Sequence, residues 1–304
     1  MSAKHLLCLA DITRAELDDY LALAAEFKRR RGQPGVAKPL AEKTIAMIFT
    51  KSSTRTRVSF EVGVFELGGN CLFLDPGALQ VGRGESLSDT ARVLNRYVHG
   101  VVIRCHKHEE LEDFARFSTI PVINALTDRY HPCQLLADLQ TIQEVYGRLD
   151  GLKVGYFGDG ASNMARSWAL AASLSGIHLT IAAPDEYQLE RELVDSLRGP
   201  GRVTLTSDPA AAAHGAHILY TDVWVSMGFE EEAADRIAKL RPYQLNQAML
   251  DLAAPGAKVM HCLPAYRGKE ITGEVLDGPA AIVWDQAENR IHAQKAVLAR
   301  LVGR

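Results

Sequence analysis

Short apolar runs that alternate with stretches of helical periodicity are the feature that most constrains the fold of this chain. Nearly every residue within a run is apolar, as in 44–49 (TIAMIF), whereas a half-exposed strand would alternate apolar and polar residues. Continuous apolar strands are typical of parallel sheets that are covered by helices on both faces. The helical stretches supply the crossover connections that parallel strands require. We therefore predict an α/β fold with doubly wound parallel sheets.

The predicted strands fall into two sets, which indicates two domains. A length of 304 residues suits this, because α/β domains commonly contain roughly 150 residues each. The first set comprises 44–49, 70–74, 101–104 and 121–126, and the second comprises 153–157, 178–182, 203–206, 217–220, 258–261 and 281–284. A helix predicted over 133–146 joins the two sets. We expect one domain over 1–135 and another over 136–287, with the final helix, 288–304, packing back on the first.

Composition argues against several classes of protein. The formal net charge is −3 with Lys and Arg scattered among the acids, so no basic face for nucleic acid is visible. No run approaches the roughly 20 apolar residues that span a bilayer, and the first residues lack the pattern of a secretory signal. The five cysteines form no Cys-x-x-Cys pattern, which argues against a disulfide framework or a structural zinc site. We expect a cytoplasmic protein that holds no metal or cofactor.

Ligands of open parallel sheets bind beyond the carboxyl ends of the strands, and one such position carries a candidate phosphate site. The hydroxyls of Ser53, Thr54 and Thr56 interleave with Arg55 and Arg57 between the first predicted strand and a helix predicted over 58–67. Free amides at a helix N-terminus, short hydroxyl donors and guanidinium groups together bind phosphate well. The alternative is an ordinary helix cap with solvated arginines. Three hydroxyls interleaved with two arginines favour the phosphate interpretation.

Other polar residues follow later predicted strands, and each has an ordinary alternative. Arg104 can polarise a carbonyl or hold a phosphate, or it can be a surface arginine. His131 can donate to a carbonyl with Gln134 on the next helical turn, although a single histidine is more often structural. Asp222 suits a substrate ammonium, or it is a turn aspartate. Cys262 could be a nucleophile, a metal ligand or a polar residue that lines the site, and no Cys-His metal spacing accompanies it.

The segment after the first strand of the second set half matches a dinucleotide-binding fingerprint. Gly158 and Gly160 fit the pattern, and Asp185 lies near the position of a ribose contact, but Asn163 replaces the third glycine. The asparagine can instead hydrogen-bond a ligand carboxylate or amine. Groups for an anion, a carbonyl and an ammonium therefore follow strands in both halves of the chain. We expect an active site in the cleft between the two domains, where two small polar substrates are joined.

These motifs resemble those of a known family, the aspartate and ornithine carbamoyltransferases. Residues 49–56 (FTKSSTRT) resemble its carbamoyl-phosphate signature. The ornithine branch in particular is resembled by 131–134 (HPCQ), by Asp222 with 226–228 (SMG), and by 261–265 (HCLPA). The resemblance extends from the first helix to 290–292 (RIH), essentially the whole chain. It implies transfer of a carbamoyl group from carbamoyl phosphate to L-ornithine, which gives L-citrulline and phosphate.

The resemblance also implies a role for each matching residue. The ligands of carbamoyl phosphate would be Ser53, Thr54, Arg55, Thr56, Gln80, Arg104, His131, Gln134, Cys262, the Leu263 carbonyl and Arg290. Gln80 would reach the site of a neighbouring subunit, which implies a homotrimer with shared active sites. The ligands of ornithine would be Asn163, Asp222, Ser226 and Met227. The residues closest to the chemistry would be Arg104, His131, Asp222, Cys262 and Arg290, with Arg57 supporting the phosphate motif.

Three alternative functions stay open at this stage. A carbamoyltransferase for putrescine or an acylated ornithine is the nearest, although the 222–228 motif favours free ornithine. A nicotinamide-dependent oxidoreductase would use Gly158, Gly160 and Asp185 but would leave the phosphate motif unexplained. A non-catalytic regulator would not need the full set of reactive residues. The sequence does not decide between formation of citrulline and the reverse reaction in arginine degradation.

Overall fold

A computed structural model describes residues 4–51, 53–75, 86–225 and 233–303. The chain divides into two compact units. Unit 1 comprises Met1–Gln140 and Glu288–Arg304, and unit 2 comprises Thr141–Ala287. Unit 1 is therefore built from both ends of the chain.

Unit 1 contains a parallel four-stranded sheet. Its strands are β1 (Thr44–Phe49), β2 (Asn70–Leu74), β3 (Gly100–Arg104) and β4 (Val122–Leu126), in the order β2-β1-β3-β4. Its helices in the described residues are α1 (Arg14–Arg29), α2 (Thr54–Glu66), α3 (Leu87–Tyr97), α4 (His108–Arg116) and the first part of α5 (Pro132–Tyr146). A capping box begins α1, because Thr13 Oγ1 accepts the Glu16 N–H at 3.3 Å and Glu16 accepts the Thr13 N–H at 2.9 Å.

Unit 2 contains a parallel five-stranded sheet. Its strands are β5 (Lys153–Phe157), β6 (His178–Ala182), β7 (Arg202–Thr206), β8 (Ile218–Thr221) and β9 (Lys258–His261), in the order β7-β6-β5-β8-β9. Its helices in the described residues are α6 (Asn163–Ser175), α7 (Arg191–Ser196), α8 (Pro209–Ala213), α9 (Ala233–Leu240), α10 (Gln247–Asp251) and α11 (Gly273–Leu276). The last helix, α12 (Val283–Leu301), begins in unit 2 and ends in unit 1. The predicted α/β fold with two parallel sheets is confirmed.

Each sheet has one point where the strand order reverses. In unit 1 it lies between β1 and β3, and in unit 2 between β5 and β8. Open parallel sheets bind their ligands beyond the carboxyl ends of the strands at such a point. Ser53 follows β1 and Arg104 ends β3, while Gly158 follows β5 and Asp222 follows β8. The topology thus brings candidate residues from distant parts of the sequence to one edge of each sheet.

Two elements differ from the sequence prediction. The strand predicted over 281–284 is wrong: Ala281 makes one isolated bridge with Val259, and α12 begins at Val283. A run of four apolar residues fits a strand and the first turn of a helix equally well, and Trp284 within it is 62% exposed. The helix predicted over 58–67 begins earlier, at Thr54, because Ser53 caps it. Among the described residues, no helix has the length and apolar character needed to cross a membrane.

An ion pair between a buried lysine and a half-buried glutamate ties α12 to the N-terminal helices of unit 1. Lys295 is only 2% exposed, and its Nζ lies 2.7 Å from a carboxylate oxygen of Glu66 in α2. Arg31 pairs with the other oxygen at 2.8 Å, and the ring of Phe27 lies 5.0 Å from Lys295 Nζ. Burial opposes ionisation of Glu66, but its bonds to Lys295 and Arg31 outweigh burial and lower its pKa. The carboxylate is therefore held in its charged form.

We expect Glu66→Gln to reduce the free energy of unfolding by about 2 kcal/mol, because it leaves the Lys295 ammonium buried without its counter-charge. The matched control is Glu61→Gln in the same helix, which removes an exposed pair with Arg57 and costs about 0.5 kcal/mol or less. Urea denaturation at pH 7 measures both. The native protein should lose the Glu66 contribution as pH falls through the lowered pKa of Glu66, since the stabilisation is present only while this group is ionised. Equal losses for the two variants would contradict this account.

Candidate active site

The start of α2 presents hydroxyl groups and the first amides of a helix at one end of unit 1. Ser53 precedes the helix in an extended conformation, and its Oγ accepts the Thr56 N–H at 3.3 Å. The Ser53 hydroxyl also lies 3.0 Å from Thr56 Oγ1, which fixes both hydroxyls beside the carboxyl end of β1. Thr54 and Arg55, in the first turn, are exposed. The first amides of a helix have no acceptor within it, so this arrangement offers both N–H groups and side chains to an anion.

Three positive side chains gather at this end. Arg104 Nη1 and Arg290 Nη2 each lie 3.4 Å from Thr56 Oγ1, and both arginines are buried. The pKa of Arg104 is lowered to about 10, chiefly by burial and in addition by the positive charges of Arg290 and Arg55. Among the described residues, no carboxylate forms an ion pair with Arg104. A buried guanidinium in this situation is stabilised by a bound anion such as phosphate.

A chain of buried polar groups leads away from Arg290 towards α5. Arg290 Nη1 donates to Gln134 Oε1 at 2.6 Å, and Gln134 Nε2 donates to Asp138 Oδ1 at 2.8 Å. Both bonds fix the amide of Gln134 with its oxygen towards Arg290. Asp138 was not singled out from the sequence, and its only signal is its place one turn after Gln134. Helical spacing from a candidate residue would have found it.

His131 stands immediately before α5 as a buried, neutral imidazole. Burial lowers its pKa well below the usual value, and the positive charges of Arg290 and Arg104 act in the same direction. A neutral imidazole carries one ring N–H and can donate it to a carbonyl oxygen without giving up a full proton. Pro132 occupies the first position of α5, where its missing N–H costs nothing.

Arg57 has different surroundings from Arg55, although the two are in the same helical turn. The Arg57 guanidinium carbon lies 3.8 Å from the centroid of the Phe73 ring, and Arg57 Nε donates to Glu61 at 2.9 Å. Its charge is therefore paired and stacked on the protein itself. This agrees with a supporting position for Arg57, away from a ligand.

In unit 2, Asp222 and Cys262 are in direct contact. The Cys262 thiol donates to Asp222 Oδ1 at 2.9 Å, and the Val223 N–H donates to the same oxygen at 2.7 Å. Burial raises the pKa of Asp222, while nearby His261 and the two hydrogen bonds oppose that effect. A buried carboxylate with one oxygen engaged in this way suits a cationic ligand, which would offset its desolvation.

The backbone between Cys262 and Tyr266 is held by a buried histidine–glutamate pair. His261 Nδ1 accepts the Leu263 N–H at 2.9 Å, and His261 Nε2 lies 3.3 Å from Glu270 Oε1. Glu270 also accepts the Tyr266 N–H. Leu263 has a φ of 59°, a left-handed conformation that a leucine adopts only when its surroundings impose it. The pair thus fixes the loop that carries the Cys262 thiol and the Leu263 carbonyl.

Asp222, His261 and Cys262 also present three potential metal ligands within 4.8 Å of one another. A carboxylate, an imidazole and a thiol are donors that zinc accepts. However, Nδ1 of His261 accepts a backbone N–H, so the ring proton sits on Nε2, which faces Glu270. Both ring nitrogens are engaged within the protein, and metal binding would have to break one of these bonds. The absence of a metal stays a prediction.

The turn after β5 does not have the properties of a dinucleotide site. A Cβ at Gly158 (φ 121°) would lie 3.1 Å from Trp224 Nε1, and one at Gly160 would lie 2.8 Å from the Tyr187 carbonyl oxygen. The protein's own packing therefore accounts for both glycines. Asn163 is the first residue of α6, which Ser162 caps by accepting the Ala165 N–H at 3.2 Å. Asp159, within this turn, pairs with Arg236, a contact that nothing in the sequence pattern indicated.

Three candidate residues, Gln80, Ser226 and Met227, lie outside the described residues. The others divide between the units. Ser53, Thr54, Arg55, Thr56, Arg104, His131, Gln134 and Arg290 belong to unit 1, and Asn163, Asp222, Cys262 and Leu263 belong to unit 2. Unit 1 gathers positive and neutral donors, and unit 2 offers a carboxylate. The first set suits an anion with a carbonyl, and the second suits a cation.

Comparisons with known proteins agree along the whole chain. Residues 4–144 match the carbamoyl-P binding domain of aspartate/ornithine carbamoyltransferases, and residues 150–301 match their Asp/Orn binding domain. The ornithine carbamoyltransferase of Methanoculleus marisnigri is 50% identical over 98% of this chain and 97% of its own length. That of Synechococcus elongatus is 52% identical over 100% of this chain and 99% of its own. The solved ornithine carbamoyltransferase from Pyrococcus furiosus is 46% identical and superposes with a TM-score of 0.94, covering 99% of this chain and 98% of that one.

We expect Arg55→Gln to weaken the binding of inorganic phosphate by about tenfold or more, because it removes a charge-assisted hydrogen bond at the start of α2. Arg57→Gln is the matched control, two positions away in the same helix, and should change the affinity by about twofold or less, since the Arg57 charge is already paired with Glu61. Isothermal titration calorimetry at low ionic strength measures both affinities. Similar losses for the two variants would indicate a diffuse positive field and would contradict a built phosphate site.

Proposed function

The chain belongs to the aspartate/ornithine carbamoyltransferase family, and we propose that it transfers the carbamoyl group of carbamoyl phosphate to the side-chain amine of L-ornithine. The products are L-citrulline and phosphate. The observation that carries the proposal is the group of Arg55, Arg104 and Arg290 around the start of α2, beside a neutral His131. That arrangement suits a substrate with both a phosphate and a polarisable carbonyl.

Carbamoyl phosphate binds with its phosphate at the start of α2 in this proposal. Ser53, Thr54, Arg55 and Thr56 hold the phosphate oxygens, and Arg104 bridges the phosphate and the carbonyl oxygen. The hydrogen bond between Arg290 and Gln134 supports a role for both at the carbamoyl group. The Gln134 oxygen accepts from the carbamoyl NH₂ together with the Leu263 carbonyl, and Cys262 lies at the same group.

Ornithine binds through groups at both ends of the molecule. Asp222 receives the α-ammonium, and Asn163, Ser226 and Met227 complete the contacts to the α-amino and α-carboxylate groups. The buried position of Asp222, with one oxygen fixed by Cys262 and Val223, supports this role. Transfer requires contact between the two substrates, so the reaction needs residues from both units.

The reaction begins when the side-chain amine of ornithine, in its neutral form, attacks the carbamoyl carbon. A free alkyl amine is mostly protonated at pH 7, so the site must favour loss of that proton, and Asp222, oriented by the Cys262 thiol, assists it. Attack places negative charge on the carbonyl oxygen. Thr56, Arg104 and His131 stabilise that charge as preorganised donors, and such donors contribute about 3 kcal/mol each in other enzymes. The C–O bond to phosphate then breaks, phosphate leaves with the bonding electrons, and it accepts the proton that the attacking nitrogen must lose to give citrulline.

Cys262 acts as a positioning group in this mechanism. Its thiol donates to Asp222, and a thiolate beside that carboxylate would suffer repulsion between like charges. Direct attack by the amine needs no covalent enzyme intermediate. A thiol that orients Asp222 and the carbamoyl group is therefore sufficient.

We also propose a homotrimer in the cytoplasm that forms citrulline for arginine biosynthesis. In the trimer, Gln80 of one subunit contacts the phosphate site of its neighbour. Val58 and Phe65, about two turns apart on one face of α2, are 49% and 79% exposed, and a subunit contact would cover large apolar side chains of this kind. The five cysteines are free thiols, which suits a reducing compartment.

The function is tested by offering carbamoyl phosphate with ornithine, N-acetylornithine, putrescine or aspartate in parallel. We expect a strong preference for ornithine, and Asp222→Asn should reduce kcat/KM for ornithine by about 100-fold, because it removes the charge that receives the α-ammonium. Cys262→Ala should reduce turnover but leave measurable activity. Preference for another amine would overturn the acceptor assignment, and no transfer to any of the four by folded protein would overturn the proposed function.

The shared active site is tested by mixing two inactive variants, Arg55→Ala and Gln80→Ala, after dissociation and reassembly. In random mixed trimers about a quarter of the sites would combine an intact Arg55 with an intact Gln80 from the neighbour, so activity should reappear. The control mixture pairs Arg55→Ala with Arg104→Ala, whose altered residues belong to the same half-site of one protomer, and should stay inactive. If mixed trimers form, as judged by native mass spectrometry, and no activity returns, the shared site is wrong.

A further inference from the structure

A buried ion pair in unit 2 lies beside the residues proposed to bind ornithine and has no part in the reaction described above. Arg236 of α9 pairs with Asp159, in the turn after β5, and both side chains are buried. Such a pair need not stabilise the fold, because replacing a buried ion pair with well-packed hydrophobic residues often leaves the free energy of unfolding unchanged or higher. The contacts of its two partners show what the pair holds in place.

The Arg236 guanidinium contacts two segments of unit 2 at once. Its Nη2 bonds Asp159, and its Nε donates to the carbonyl oxygen of Trp224 at 3.1 Å. The guanidinium carbon also lies 4.6 Å from the centroid of the Tyr187 ring. Trp224 is two residues after Asp222, so Arg236 fixes the backbone that continues from the acceptor carboxylate. A planar fork with several donors is suited to this double contact.

Asp159 fixes the other segment, the turn that leads into Asn163. Its Oδ1 accepts the Ala161 N–H at 3.0 Å, and its carbonyl oxygen accepts the Ser162 N–H at 3.3 Å. Asn163 follows directly as the first residue of α6. The carboxylate of Asp159 thus connects the turn before Asn163 to the Arg236 side chain.

A second contact joins the same two segments. The Trp224 side chain is buried and packs directly on the backbone of Gly158, since a Cβ there would lie 3.1 Å from Trp224 Nε1. This contact packs the two segments together without a directional bond. The charged bonds of Arg236 supply the direction.

We propose that the Arg236–Asp159 pair is a positioning device for ornithine, which sets the separation between Asn163 and Asp222. The proposal rests on the proposed function and concerns only the residues that bind ornithine. Neither residue contacts the substrate in this scheme. Each acts through a neighbour, Asp159 through the turn before Asn163 and Arg236 through the Trp224 backbone.

The charges of the pair also act on Asp222, the carboxylate that is proposed to bind the ammonium of ornithine. Burial raises the pKa of Asp159, and Asp222 is close enough for its negative charge to raise that pKa further, while Arg236 opposes both effects. With Arg236 in place, the Asp159 charge is compensated within the protein. Asp222 is then the carboxylate of the two that attracts the ammonium of the substrate.

The test is steady-state kinetics of Arg236→Met in the intact protein. Methionine keeps much of the packing on Tyr187 but removes both directional bonds, so the KM for ornithine should rise by about tenfold or more while the KM for carbamoyl phosphate changes by about twofold or less. Lys239→Met is the matched control: Lys239 is in the same helix, 6.0 Å from the same Tyr187 ring, but it forms exposed pairs with Glu186 and Asp235. The control should leave both KM values unchanged.

Two further variants keep the test decisive if Arg236→Met folds poorly. The double variant Asp159→Asn, Arg236→Met leaves no uncompensated carboxylate, so it should fold, and its KM for ornithine should stay raised because the link to Trp224 is lost. Arg236→Lys keeps the charge but lacks the fork, and should restore only part of the ornithine affinity. Discrimination of kcat/KM between ornithine and lysine, which is one methylene longer, should fall in the double variant.

A purely structural pair would lower thermal stability and leave the KM for ornithine and the ornithine-to-lysine ratio as they are. That result in folded variants would overturn the inference, and so would an equal rise of both KM values. If the unaltered protein transfers no carbamoyl group to ornithine, the proposed function itself is wrong. Activity of the unaltered protein with no selective effect at Arg236 removes only the positioning role.

Discussion

Parallel pairing of the strands is the constraint on which the rest of the structure depends. Because every strand in a sheet points the same way, the residues that follow the strands collect at one edge, whatever their separation in sequence. β1 and β3 are adjacent in the sheet, so Ser53 and Arg104 become neighbours around Thr56. β5 and β8 bring the Gly158 turn and Asp222 together in the same way. Backbone pairing in the sheets thus brings the candidate residues close together, whatever specific contacts their side chains make.

The candidate residues of unit 1 and those of unit 2 differ in how their buried charges are balanced. In unit 1 the positive charges of Arg104 and Arg290 lie beside one another and beside Arg55, an arrangement that costs folding energy and favours an anion. In the described residues of unit 2, two buried carboxylates already have partners within the protein: Asp159 pairs with Arg236, and Glu270 accepts hydrogen bonds from His261 and from the Tyr266 N–H. Asp222 is stabilised by weaker donors, a thiol and one amide. The buried groups that lack a full counter-charge in the described part of the chain, Arg104 and Asp222, therefore lie where a substrate group of opposite sign is proposed to bind. The buried carboxylates that have partners, Asp159 and Glu270, hold the supporting backbone.

The fold was predictable because hydrophobic runs report burial directly: the strands expected over 44–49 and 153–157 have the same bounds in the structure. The prediction for 281–284 was wrong because four consecutive apolar residues fit a strand and a helix equally well. The helix α2 begins before the predicted residue because Ser53 caps it, and hydrophobic periodicity does not reveal a cap. For the site, strand-end logic selected Ser53, Arg104 and Asp222. Arg290 came only from the family resemblance, since it lies within a helix far along the chain. Arg236 was missed, because an arginine on an amphipathic helix looks solvated unless its buried partner is known.

Unit 1 is assembled from both ends of the chain, and this has a consequence for how the protein is made. Arg290, at the proposed anion site, and Lys295, which pairs with Glu66, belong to α12 and leave the ribosome after all of unit 2. Residues of unit 2 form one uninterrupted stretch, whereas the first part of unit 1 must wait for its missing helix. Although domains commonly fold in the order of their synthesis, here the second half of the nascent chain is the first that can finish. Arg290 is made after all of unit 2, so a chain that terminates before this residue lacks part of the proposed anion site.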